Sequence, residues 1–182
     1  MTRPVSLMAI CVAALLVAGT ARAQLAPADA EFLKDAAQNV HTEIEGSKLA
    51  LDKAVNVQVK GFAQQMVDDH TRAGEELAAL AAAKGVEVPS GPSLIQKGKI
   101  KLLSATDGAS FDRRYASSMG VSAHEDNIKL FQKAANNATD PDVKAFAEKT
   151  LPTLQHHLQM AQDLNDVAKK EGNIKTANDT KP

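Results

Sequence analysis

Beyond its first two dozen residues the chain sets apolar or small residues three and four apart, the spacing of one buried helix face. Ala36, Val40, Ser47, Ala50 and Ala54 mark such a face on a first helix over Pro27–Lys53, and Pro27 suits a first turn. Phe62, Met66, Ala73, Leu77 and Leu80 mark a second over 56–84, with Asn56 as its cap and Gly85 as its stop. Residues 85–92 carry two Pro and two Gly and open a crossover, which holds a short helix over 93–103. A third long helix is expected over 110–136. The fourth runs over 141–170, capped by Asp140 and begun by Pro141. Pro152 lies inside this fourth helix and should kink it or loosen one turn. Residues 171–182 are polar and read as a frayed, flexible tail.

Two short loops around one long connection give helix pair, crossover, helix pair. The expected fold is therefore all-α: a ferritin-like four-helix bundle with a short extra helix in its crossover. A weak repeat agrees with this. Lys48-Leu49 recurs as Lys129-Leu130, and Val59-Lys60-Gly61-Phe62-Ala63 recurs as Val143-Lys144-Ala145-Phe146-Ala147. Each copy is one helix hairpin, as duplication of an αα unit would produce. In this register Glu43 aligns with His124.

Composition changes the picture at the N-terminus. Arg3 precedes an apolar stretch over 5–18 broken only by Ser6, and Ala21-Arg22-Ala23 is a small-residue cleavage site. Residues 1–23 read as a secretory signal, the mature domain as 24–170, and the destination as the periplasm. No integral membrane segment is expected after cleavage. Cys11 falls inside the signal behind a bulky Ile10, unlike a lipid-attachment site, so the mature chain would carry no thiol. Of the 21 basic residues Arg3 and Arg22 are lost with the signal, leaving 19 against 22 acidic ones, a net charge of −3. With no basic stripe, no Trp and one Tyr, the chain is unsuited to nucleic acid.

Catalytic signatures are mostly absent. There is no Gly-rich phosphate loop, and His124-Glu125 fails as a zinc-protease motif because Ile128 stands where the second His belongs. What remains is a pattern of placement. His70 continues the Phe62, Met66 series, and His157 follows Val143, Ala147, Thr150 and Leu154 toward Ala161 and Leu164. His124 leads Ile128, Phe131 and Ala135, and Glu43 falls between Val40 and Ser47. Each long helix thus offers one polar side chain to the interior. Three imidazoles and one carboxylate suit a single divalent transition metal such as Cu, Zn or Fe. Met66 and Met160, each one turn from an inward His, could add soft ligands, although core filling accounts for them as well. The competing account has the four polar groups bonded to one another or to buried water, fixing the bundle's register. A di-iron centre is not expected: ferritin-like carboxylate sites use Glu-x-x-His, and Val67, Val121 and Leu154 stand three before the inward His residues. His156 is turned ~100° from His157 and should face out. His41 should lie at the surface. Asp68 and Asp69 should face solvent or bind the neighbouring helix, and Glu75-Glu76 should be exposed.

The third helix poses a phase problem. Phe111, Tyr115 and Met119 step by four, but the next inward group, His124, comes five residues on. A single-residue π-bulge near Gly120 to Ala123 would absorb the slip and bury both Met119 and His124. A regular helix through Ser118, Val121 and His124 would instead leave Met119 exposed.

These residues resemble a bacterial family of exported ferritin-like proteins, the domain of unknown function DUF4142. The marks are Glu43-Ile44-Glu45 before Lys48-Leu49-Ala50, Val59-Lys60-Gly61-Phe62-Ala63 leading to Met66-Val67-Asp68-Asp69-His70-Thr71, His124 ahead of Leu130-Phe131, and Leu151-Pro152-Thr153-Leu154 ahead of His157-Leu158. The resemblance spans about 30–164. It implies an exported helical bundle and supplies no activity. One departure stands out: in the family pattern the third-helix Tyr and His are one residue closer than Tyr115 and His124 are here. The leading functional expectation is a structural, interaction or stress-related role, with a protein partner or a homo-oligomer. The alternative is a metal-binding bundle for storage, buffering or scavenging. Neither a substrate pocket nor an acid–base pair is legible in the sequence, which argues against an enzyme.

Overall fold

A computed structural model describes the backbone of residues 24–179 and the side chains of residues 24–170. The signal segment, 1–23, and the last three residues lie outside the described residues. Within them the regular structure is entirely helical: α1 (Pro27–Lys53), α2 (Val57–Lys84), α3 (Leu94–Ser104), α4 (Gly108–Tyr115), a π-helical segment (Ala116–Ser122), α5 (Ala123–Asn137) and α6 (Pro141–Asp179). α4, the π segment and α5 form one continuous third rod. The molecule is a ferritin-like four-helix bundle, with α3 in the crossover.

Local chemistry sets the helix ends. Asn56 Oδ1 accepts from the amides of Gln58 (2.7 Å) and Val59 (3.4 Å), two donors that the first turn of α2 cannot otherwise satisfy. Gly85 ends that helix at φ 70°, a left-handed conformation that costs glycine nothing. Ser93 and Gln96 form a reciprocal capping box at the start of α3. Asp140 caps α6 through the amides of Asp142 (2.9 Å) and Val143 (3.1 Å). α6 runs unbroken through Pro152 and continues past Lys170 to Asp179. Expecting its end at Lys170 underestimated it: no proline follows Pro152 before Pro182, and polarity alone does not stop a helix.

The phase problem resolves in favour of the π geometry. The amide of Ala123 bonds to the carbonyl of Ser118, five residues back, and both Met119 and His124 are buried. The irregularity is longer than a single-residue bulge and begins at Ala116, upstream of the expected Gly120. One absorbed residue turns the remainder of the rod back by ~100°, so Tyr115 and His124 both face inward despite their nine-residue separation. Ser118 and Ser122 hydroxyls donate to the carbonyls of Arg114 (2.7 Å) and Ser117 (3.1 Å). Gly120 permits close packing on α6: a Cβ there would meet Ala161 Cβ at 3.0 Å.

The interior divides in two. One apolar cluster gathers Phe32, Leu33, Leu77, Phe131, Phe146 and Leu154; the other gathers Phe62, Met66, Leu103, Phe111, Tyr115 and Leu164. Glu43, His70, His124 and His157 are buried without belonging to either cluster.

At each end a buried aspartate ties one hairpin to the other. Asp112 of α4 accepts from the amides of Val55 (3.2 Å) and Asn56 (2.9 Å) in the first hairpin's turn. Asp29 of α1 accepts from the amides of Thr139 (3.1 Å) and Asp140 (2.9 Å), and from the Thr139 hydroxyl (2.8 Å), in the second. Residues 55–56 and 139–140 are equivalent in the register that matches Val59 to Val143, so the repeat extends to a reciprocal clip. Among the described residues no helix is long and apolar enough to cross a membrane.

Candidate metal centre

Three rods each contribute one imidazole to the waist of the bundle. α2 carries His70, α5 carries His124 in its first turn, and α6 carries His157; they are 5%, 0% and 1% exposed. Ring centroids are 5.4 to 5.6 Å apart. One nitrogen from each ring lies within 4.8 Å of the other two.

The hydrogen bonds decide which nitrogens are available. His124 Nδ1 donates to the Gly120 carbonyl at 2.8 Å and lies 3.2 Å from that of Met119. A carbonyl only accepts, so the proton sits on Nδ1 and Nε2 keeps its lone pair. His157 Nε2 donates to Asp69 Oδ2 at 2.9 Å, which leaves the lone pair on Nδ1. Asp69 is also bonded by Arg72 and, at 3.4 Å, by Gln65. His70 Nε2, His124 Nε2 and His157 Nδ1 are buried with no hydrogen-bond partner. An imidazole whose second nitrogen is oriented by a carboxylate or a carbonyl is the usual arrangement behind a metal ligand.

Burial also keeps the rings neutral. It holds His70 well below the ordinary imidazole range, with His124 and His157 adding to the effect. His124 is lowered to about 4 by burial and by His157. His157 is lowered by burial, against the opposing pull of Asp69. At neutral pH all three can offer a lone pair.

Glu43 stands outside the three-nitrogen group. It is 2% exposed on α1, and burial raises its carboxyl to about 8. One turn on, Ser47 Oγ lies 2.8 Å from the Tyr115 hydroxyl. Met66 packs in the second apolar cluster, with Met160 partly buried against it. His156 is exposed and His41 half-buried. The group contains no carboxylate, which does not fit a carboxylate-bridged di-iron centre.

The model of the family described as "Domain of unknown function (DUF4142)" matches residues 15–164. The chain belongs to this family. Among curated proteins none matches the sequence. Of solved structures, the DUF305 fragment from Deinococcus radiodurans is similar with a TM-score of 0.70 and 12% identity, over 79% of this chain and 99% of that one. A conserved hypothetical protein, rv2844, from Mycobacterium tuberculosis is similar with a TM-score of 0.58 and 16% identity, over 76% and 91%. At such identities the likeness speaks for the bundle fold alone.

Two partners in this DUF4142 chain were not assigned from sequence. Asp69 was expected either in solvent or on the neighbouring helix; the structure chooses the helix, and specifically His157. Its signal was position: one residue before His70, Asp69 turns ~100° away from the bundle axis and toward α6. The carbonyls of Met119 and Gly120 carried no signal, since backbone groups are the same at every residue.

Proposed function

We propose that this chain is an exported bundle that binds one divalent transition-metal ion through His70, His124 and His157, for storage, buffering or scavenging. The observation that carries the proposal is a set of three buried imidazoles, each with one unpartnered nitrogen and each with a nitrogen within 4.8 Å of the other two rings'. A purely structural role would have these groups bonded to one another, because an unsatisfied buried polar atom costs ~1–3 kcal/mol. Nitrogens ~2.0 Å from a tetrahedral ion are ~3.3 Å apart, so pairs of nitrogens within 4.8 Å of one another need to close by ~1.5 Å or less. Three neutral imidazoles suit Cu²⁺ and Zn²⁺, and intrinsic affinity favours Cu²⁺. The Asp69 carboxylate behind His157 would offset part of the ion's charge. The apolar segment and the small-residue site at 21–23 support export to the periplasm.

The test is elemental analysis of untagged protein purified from the periplasm, followed by calorimetric titration of metal-stripped protein with Cu²⁺ and Zn²⁺. One equivalent of metal and a saturable isotherm are expected. Absence of saturable binding at micromolar metal would return the protein to a structural or interaction role.

A further inference from the structure

Between α1, α3, the π segment and α5 lies a cavity of about 350 Å³, within the size range of small-molecule sites. None of the three histidines lines it. Its walls are largely apolar, with Leu103 and Met119 among them. Glu43 also lines it and is the one acidic group there that is buried. Among the described residues no hydrogen bond or ion pair satisfies its carboxyl. A buried carboxyl left without a partner is expensive unless something outside the chain supplies one.

The same cavity carries positive charge at its exposed side, while the Glu43 carboxyl, raised to about 8 by burial, keeps a proton at neutral pH until a cation displaces it. Lys99 of α3 and Arg114 of α4 line it, both are exposed, and neither is in an ion pair among the described residues. The lining acid at the surface, Asp126, is taken by Lys129 at 3.2 Å. Along the wall, Gln96 donates to Asn39 at 2.7 Å and Asn39 donates to Asn127 at 2.5 Å. An unpartnered acid and two unpartnered cations thus line one cavity with largely apolar walls.

We infer that this cavity is a binding site for a small zwitterion of the free amino acid class, with the ammonium on Glu43, the carboxylate on Arg114 and Lys99, and an apolar side chain against Leu103 and Met119. A simple amine would satisfy Glu43 but meet the two cations unfavourably. A simple acid would satisfy the cations and leave Glu43 buried alone. Only a ligand with both charges answers both kinds of group in the cavity wall. The metal reading is not required: the site involves none of the three histidines.

The test uses the mature chain stripped of metal. All twenty free amino acids are added singly at 10 mM, and thermal unfolding is followed. L-Leucine, 3-methylbutylamine and 4-methylpentanoate are then compared by calorimetry. At least one apolar amino acid should raise the melting temperature saturably. Leucine should bind at least tenfold more tightly than either analogue lacking one charge. Glu43→Gln should weaken it at least tenfold, and so should the double substitution Lys99→Ala, Arg114→Ala, whose exposed positions leave folding intact. No saturable shift with any of the twenty overturns the inference. So does equal binding of leucine and its two analogues, or undiminished binding by both variants.

Discussion

The two ends of the bundle and its waist treat buried polar groups in opposite ways. At the ends, Asp29 and Asp112 are each 3% exposed, and both accept from the amides of the turn opposite them. At the waist, three equally buried imidazoles each keep a nitrogen with no partner. Burial is the same and the hydrogen bonding is not. The clips close the fold through bonds internal to the chain. The waist leaves lone pairs unused by the chain's own donors, and a metal ion of the kind proposed would supply the missing partner.

The sharpest way to break that contrast is His70→Ala. It should reduce Cu²⁺ or Zn²⁺ affinity at least ~100-fold, because two imidazoles remain where three converged. Far-ultraviolet circular dichroism should keep most of its helical signal. If affinity survives, the waist is no more than a packing layer. Next in size, Asp29→Ala and Asp112→Ala should each lower unfolding free energy by ~2–4 kcal/mol, since buried turn amides lose a charged acceptor. Urea denaturation would show this, with metal affinity in the folded protein unchanged. A loss of metal binding in these variants would mean that ends and waist are not separate.

Asp69→Asn tests the link between ring orientation and affinity. It should weaken metal binding ~10–100-fold, the usual cost of losing a carboxylate behind a ligating histidine. The smaller effect is the pH profile of metal-free protein. The three histidines have native pKa values below the ordinary 6.5, so the unfolded chain takes up their protons first, and stability falls as pH drops below 6.5. Glu43 has the opposite sign. Its native carboxyl, at about 8, keeps a proton that the unfolded chain releases above 4.5, so stability falls as pH rises from 4.5 to 8. Three groups oppose one below 6.5, and Glu43 acts alone above it. Urea midpoints should therefore peak near pH 6.5; a monotonic rise to pH 8 would show that Glu43 is ionised in the native protein. Last, His156→Ala should change neither metal affinity nor stability measurably, as expected for an exposed neighbour of a buried histidine.

How much of this could be read from the chain differs by element. The caps at Asn56 and Asp140, the stop at Gly85 and the inward phase of His70 and His157 were legible because each depends on neighbours within one or two turns. Periodicity places a side chain on a face, and short polar side chains recognise the nearest free amides. The π segment was half legible. A phase slip between Met119 and His124 demands an irregularity, but the local pattern does not mark its start at Ala116. Glu43 shows where one-dimensional reasoning ends. Its phase correctly placed it inside, yet phase says nothing of height or reach, and only the packed helices put it beside a cavity and outside the imidazole group. The partnership of Asp69 with His157 and the reciprocal clips join residues 56 to 111 positions apart, and bonds of that kind exist only once the hairpins dock. The sequence by itself therefore determined which helix faces turn inward and which residues begin and end several of the helices. Tertiary structure alone decided which buried groups meet, because that depends on the relative rotation and height of rods whose local periodicities are independent of one another.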